Sequence, residues 1–145
     1  MDKIANKKCL ICSENTGLSK KIQELLLTMH YDVTIATSLG DASLHISNTF
    51  FNLVVVDEIL SSDNEAGSKL LRILNFIPPE KRRKTFDVLL SSTYKTKDSY
   101  AAFIQGTNVI INKNDIEKFI TIITEELENH HKMYALIEEV YDQLE

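Results

Sequence analysis

Leu53-Val54-Val55-Val56-Asp57, four apolar residues closed by a carboxylate, reads as a strand buried on both faces, the pattern of a parallel sheet. Polar, loop-like sequence follows at once. A carboxylate at the C-terminal tip of such a strand lies where open α/β sheets place their functional groups. An aspartate after a strand is also an ordinary turn or helix-cap residue, so Asp57 needs company from elsewhere in the chain before it implies chemistry.

Outward from that strand the patterns alternate. Toward the N-terminus, Lys8 to Cys12 reads as a strand, and Leu18, Ile22, Leu25, Leu26 and Met29 form a helical stripe. Tyr31 to Ala36 is a second, β-branched strand, and Asp41 to Thr49 a short helix. Toward the C-terminus, Ser61 to Gly67 is turn-like, Leu70, Leu71, Ile73 and Leu74 mark a third helix, and Pro78-Pro79 ends it. Asp87 to Leu90 is a fourth strand with Ser91-Ser92-Thr93 at its tip. Ser99 to Gln105 is a helix stopped by Gly106, and Val109 to Ile111 a short fifth strand ending near Lys113. Asp115, as N-cap, opens a long helical stretch. Five β-α units in strict alternation predict a parallel sheet with helices on both faces and right-handed crossovers.

The 145 residues suffice for one domain with a real core, and 43% hydrophobic with 26% charged residues is ordinary for a soluble globular protein. No apolar run can span a bilayer, and Met1 to Lys8 has no signal-peptide core, so a cytoplasmic location without a membrane partner is expected. The net charge of −5 divides unevenly: Asp115 to Glu145 carries −7 and the remainder +2. Neither part suggests a nucleic-acid surface, and Lys81-Arg82-Arg83-Lys84 reads as a solvated loop. Cys9 and Cys12 are spaced as CxxC, but on a strand residues three apart face opposite ways. They read as buried hydrophobes in a reducing compartment.

In a parallel sheet all strand tips point the same way, which gathers Ser13 and Glu14, Asp57, Ser92 and Lys113 from distant parts of the chain. A nucleophilic carboxylate, a second acid, a hydroxyl and a cation suit phosphoryl transfer to Asp57. Ser92 would hydrogen-bond one phosphoryl oxygen, Lys113 would pair with another, and a hard divalent cation would neutralise charge.

Over roughly residues 7 to 128 the chain resembles the receiver domain of two-component response regulators. The resemblance is carried by Cys9-Leu10-Ile11-Cys12-Ser13-Glu14, His30-Tyr31-Asp32-Val33, Leu39-Gly40-Asp41-Ala42, Asn52 to Asp57, Ser92, and Gly106 through Lys113. It implies a flavodoxin-like (βα)5 three-layer sandwich with sheet order 2-1-3-4-5. It also implies a phosphoacceptor signalling domain, not a turnover enzyme. Asp57 would be phosphorylated by a histidine kinase or phosphotransfer protein, with Ser92 and Lys113 in the site. Mg²⁺ would be held by Glu14, Asp57 and the Ile59 carbonyl. Output would pass through the helices after the fourth and fifth strands.

The sequence departs from the family pattern at several points. Ser13 stands where one of two adjacent acids is usual, Ser61 and Asn114 replace prolines, Gly67 comes two residues late, and Ile110 occupies the place of a switch aromatic. Ile59 and Tyr94 flank the path of attacking water, and their bulk predicts slow self-dephosphorylation. These departures leave a second reading open, a pseudo-receiver that acts as a phosphorylation-independent interaction module. A flavin binder of the same fold is disfavoured, because Ser13-Glu14-Asn15-Thr16-Gly17 lacks a glycine-rich phosphate cradle.

Past the expected receiver unit, 1–128, residues 129–145 form a helical extension. Ile116, Ile123, His130, Ile137 and Leu144, with Ile120, Leu127, Tyr134 and Tyr141, repeat in the 4-3 spacing of a coiled-coil seam. The extension reads either as a dimerisation helix or linker, or as a separate helix folded back after a break at Asn129-His130-His131. His130 and His131 project about 100° apart on a helix and cannot chelate together, and His45 has no visible partner.

Overall fold

The computed structural model describes residues 7–60 and 65–144, so Ser61 and the start of its expected turn lie outside the described residues. Strands β1 (Lys7–Cys12), β2 (Tyr31–Ala36), β3 (Leu53–Asp57), β4 (Phe86–Ser91) and β5 (Val109–Asn112) form one sheet of order β2-β1-β3-β4-β5. Every pairing is parallel, with Cys12 opposite Val56 and Asp57 opposite Leu90. This is the flavodoxin-like arrangement expected from the alternating pattern.

Helices α1 (Thr16–Leu27), α2 (Leu39–Asn48), α3 (Ala66–Asn75), α4 (Pro79–Arg82), α5 (Ser99–Gln105) and α6 (Phe119–Leu144) connect and flank the strands. Strand alternation splits the core into two layers. Leu53 and Val55 face Ile22, Leu26, Phe119 and Ile123 of α1 and α6. Val54 and Val56 face Ala42, Leu70, Leu71 and Ala102 of α2, α3 and α5. Packing on both sides is why β3 is apolar from Leu53 to Val56, each side chain contributing about 2 kcal/mol by burial. Cys9 lies in the first layer and Cys12 in the second, and burial pushes both thiols well above their ordinary range.

Local chemistry sets the helix ends. Asn15, Ser38 and Asp98 each accept a backbone N–H of the first turn, from Leu18 (3.1 Å), Asp41 (3.1 Å) and Ala101 (3.0 Å). Gly106 ends α5 at φ 75°, a left-handed conformation that favours glycine.

Four expectations need correction. Pro78-Pro79 does not simply stop a helix: Pro79 sits at the first position of α4, where its missing N–H costs nothing. Asp115 does not cap the last helix. A 3₁₀ turn, Lys113–Lys118, precedes α6, Asn112 caps that turn through the Asn114 N–H (2.9 Å), and Asp115 accepts from the Thr96 hydroxyl. The basic run is not uniformly solvated, since Arg82 reaches Asp87 at 2.6 Å with its side chain mostly buried. His45 has a partner in Asp41, 3.5 Å away.

The C-terminal helix is continuous through Asn129-His130-His131. His130 Nε2 lies 3.0 Å from the Arg83 carbonyl oxygen, and its ring meets Phe86 edge-on with centroids 5.4 Å apart. Among the described residues no helix is long and apolar enough to cross a membrane.

Candidate functional site

Parallel strands bring β1, β3, β4 and β5 to one edge, and the carboxylate of Asp57 ends β3 there, only 3% exposed. Burying a charge requires partners, and among the described residues Asp57 has three. Lys113 Nζ, just past β5, lies 2.7 Å from Oδ1. The Ser13 hydroxyl, just past β1, donates to Oδ2 at 2.8 Å. The Ile59 N–H donates to Oδ1 at 3.1 Å. Ser13 is itself buried, and its oxygen accepts from the Asn15 N–H at 3.1 Å, so its proton points at Asp57. Ser13 thus offers Asp57 a donor and adds no charge beside it.

The Lys113 side is held by the loop after β4. Asn112 donates from its side chain to the Tyr94 carbonyl (2.7 Å) and from its backbone to Thr96 Oγ1 (2.8 Å). Tyr94 packs on the second core layer, and Gln105 Nε2 reaches its hydroxyl at 3.3 Å. Ile110 is fully buried.

The structure thus brings Asp57, Lys113 and the Ile59 backbone together, with Ser13 beside them. Glu14 follows Ser13 on the exposed side. Ser92 is exposed at the end of β4, and its N–H donates to Glu58 Oε1 at 2.9 Å. The buried hydroxyl at that tip belongs to Ser91, one residue past Leu90, the register partner of Asp57. Ser91 donates to Glu58 Oε2 at 2.9 Å. The sequence reading passed over Glu58. Its signal was the strand period: a residue after Asp57 points to the opposite face, where Ser91 also points.

The donor set is compatible with a hard divalent cation. Such ions take oxygen ligands, and Mg²⁺ is commonly held by one or two carboxylates with water completing the shell. Asp57, the exposed Glu14 and the Ile59 carbonyl would be the donors for such an ion. Among the described residues no group of three His, Cys, Asp or Glu converges, so a site here would be sparse and largely hydrated.

No family model matches the chain, and no curated protein does. Solved structures do match. A CheY-like response regulator receiver domain protein from Methanospirillum hungatei is similar at TM-score 0.70 and 23% identity, over 89% of this chain and 99% of that one. The signal receiver domain of an HD domain-containing protein from Pseudomonas fluorescens is similar at TM-score 0.68 and 21% identity, over 88% and 98%. A Burkholderia pseudomallei response regulator with a phosphorylated aspartic acid, calcium ion and citrate is similar at TM-score 0.65 and 17% identity, over 88% and 72%. The fold is that of response regulator receiver domains.

Proposed function

We propose, with the receiver-domain fold as premise, that the chain is a phosphoacceptor signalling domain in which Asp57 takes a phosphoryl group from a histidine kinase or phosphotransfer protein. The observation that carries this is the buried Asp57 carboxylate between Lys113 Nζ at 2.7 Å and the Ser13 hydroxyl at 2.8 Å. A carboxylate oxygen attacks phosphorus, the bond from phosphorus to the donor's imidazole nitrogen breaks, and that nitrogen keeps the electron pair. The product is an acyl phosphate. Lys113 then faces a more highly charged anion and stays paired with it.

The sequence assigns the accompanying hydroxyl to Ser92. Strand alternation supports Ser92, two residues past the register partner of Asp57 and so on its side of the sheet, whereas Ser91 faces the other way with Glu58; alanine variants of each separate the two. Glu14, Asp57 and the Ile59 carbonyl would hold Mg²⁺, which when bound neutralises charge on the phosphoryl oxygens. Output would pass through α5, where Tyr100, Phe103 and Ile104 are exposed, and through α6. Residues 1–128 would be the receiver unit and 129–145 the extension. Met133, Leu136, Val140 and Leu144 present an exposed apolar stripe there, suited to a homodimer.

A second reading has its own support. Ser13 supplies no charge for a metal and satisfies Asp57 without one, as an interaction module that works independently of phosphorylation would need. Intact-protein mass after incubation with acetyl phosphate and Mg²⁺ tests both. A phosphoryl adduct that needs Mg²⁺ and is absent from Asp57→Ala is expected. No adduct over a range of metal and phosphodonor overturns the phosphoacceptor in favour of the interaction module. An adduct half-life of seconds would contradict the slow self-dephosphorylation expected from Ile59 and Tyr94.

A further inference from the structure

We infer that Asn112 is a positioning residue for Lys113: its side-chain amide ties the turn that carries Lys113 to the loop after β4, and so aims the ammonium at Asp57. The effect on phosphoryl transfer rests on Asp57 being the phosphoacceptor; the aiming of Lys113 does not.

A lysine ammonium sits on a long, flexible stem, so it stays at one carboxylate oxygen only where the backbone beneath it is fixed. Lys113 opens the 3₁₀ turn just past β5, and Asp115 within that turn departs from helical geometry at φ −102° and ψ 16°. Such turns have poor hydrogen-bond geometry of their own. This one is braced from outside. Asn112 Oδ1 accepts the Asn114 N–H at 2.9 Å, which closes the turn around Lys113. Asn112 Nδ2 donates to the Tyr94 carbonyl at 2.7 Å. The Asn112 N–H donates to Thr96 Oγ1 at 2.8 Å, and the Thr96 hydroxyl gives its own proton to Asp115 Oδ2. Lys113 is therefore bracketed, with the residue before it and the second residue after it both bonded to the loop.

The loop is itself anchored. The Tyr94 N–H donates to the buried Ser91 oxygen at 2.9 Å, and Gln105 Nε2 reaches the Tyr94 hydroxyl at 3.3 Å. Register divides the work between neighbours. Asn112 pairs with Ser91 and turns its side chain to the loop, while Lys113, the next residue, reaches Asp57 Oδ1 at 2.7 Å. Asn112 thus acts on the carboxylate through Lys113.

The two partners dictate an amide at this position. The Asn114 N–H needs an acceptor and the Tyr94 carbonyl needs a donor, and one asparagine side chain carries both. A serine oxygen can cap the turn, but its side chain is too short to span to both partners. An aspartate would set an oxygen against the Tyr94 carbonyl.

The test uses the full chain as wild type, Asn112→Ala, Asn112→Ser, Lys113→Ala and the Asn112→Ala/Lys113→Ala double variant. The readouts are the rate of labelling by acetyl phosphate with Mg²⁺ and the midpoint of urea unfolding. Asn112→Ala should slow labelling roughly tenfold, the scale of one hydrogen bond to a charged group. Asn112→Ser keeps the cap, guards against a folding defect in Asn112→Ala, and should also label more slowly than wild type. In the Lys113→Ala background Asn112→Ala should add no further slowing, which a merely structural role would not produce. Lys113→Ala should also lower the urea midpoint less in the Asn112→Ala background than in wild type, because there the ammonium has already lost its aim. Wild-type labelling in both Asn112 variants, slowing that adds to that of Lys113→Ala, or equal midpoint shifts in the two backgrounds would overturn the inference. If the midpoint shifts differ and no form is labelled, the aiming of Lys113 by Asn112 stands and the phosphoacceptor reading of Asp57 is what fails.

Discussion

Two carboxylates are buried at opposite edges of the same sheet, each paired with a cation, and they are built differently. Asp87, at the N-terminal edge, is saturated: Arg82 Nη2 lies at 2.6 Å, the Asn108 N–H at 2.8 Å and the Thr107 hydroxyl at 3.1 Å. Its own N–H is bonded to the Asn108 side chain at 2.9 Å. Arg82 in turn donates to Asn75 Oδ1 (3.0 Å) and the Thr85 carbonyl (2.8 Å), so the cluster ties α3, α4, β4 and the turn before β5 together. Among the described residues Asp57 has as many partners, but its cation, Lys113, ends the chain of contacts and keeps 24% of its side chain exposed against 16% for Arg82. A closed network serves the fold, whereas a buried carboxylate with one wet, displaceable cation is arranged to change partners.

The sharpest way to break that contrast is to remove each carboxylate. Asp87→Ala leaves Arg82, Thr107 and Asn108 with unmet hydrogen bonds and should lose about 3 kcal/mol of stability in urea unfolding. Phosphoryl labelling of the protein that remains folded should not change. Asp57→Ala should lose much less stability; equal losses at the two sites would erase the distinction. Next in size, Lys113→Ala leaves Asp57 buried beside Ser13 and the Ile59 N–H. Water can reach the partly exposed ammonium's place, so we expect a loss of about 1–2 kcal/mol in the same melts.

The smallest effect is in pH. Burial holds the Asp87 carboxyl above its usual range, although Arg82 and the Asn108 N–H pull the other way. A carboxyl raised by folding contributes stability that is fully present below its unfolded value of about 3.9 and lost as pH rises through the folded value. Measured against Asp87→Asn, wild type should therefore lose relative stability as pH climbs from about 4 and level off above the raised value. A gain over that window would show that Arg82 outweighs burial.

What was legible in the sequence follows from how local the causes are. The apolar runs of β3 and β4 and the Gly106 stop announce themselves within a few residues, and they place Asp57 and Lys113 at one edge. Asp115 misled because a capping side chain is recognised by position, and here the Thr96 hydroxyl, 19 residues away, claims it. Pro79 reads equally well as the end of one helix or the first residue of another. Ser91 and Ser92 are distinguished only by where β4 stops, one residue later than its apolar run. Glu58 differs again: the strand period gives its face, but its partners come from the neighbouring strand, and no spacing along the chain encodes that register.

The continuity of α6 has a mechanical consequence. His130 fastens the helix to the Arg83 carbonyl and the Phe86 ring, and from there 14 residues run on to Leu144 without interruption. At 1.5 Å per residue that is a rigid arm of roughly 21 Å. A tilt of about 5° where the arm is fastened would sweep its far end through about 2 Å, a displacement on the scale of helix shifts at subunit interfaces. Lys97, on the loop before α5, grips the same helix through Glu125 at 3.3 Å and Glu126 at 3.9 Å. The β4–α5 loop is thus joined to the arm on the near side of that fulcrum.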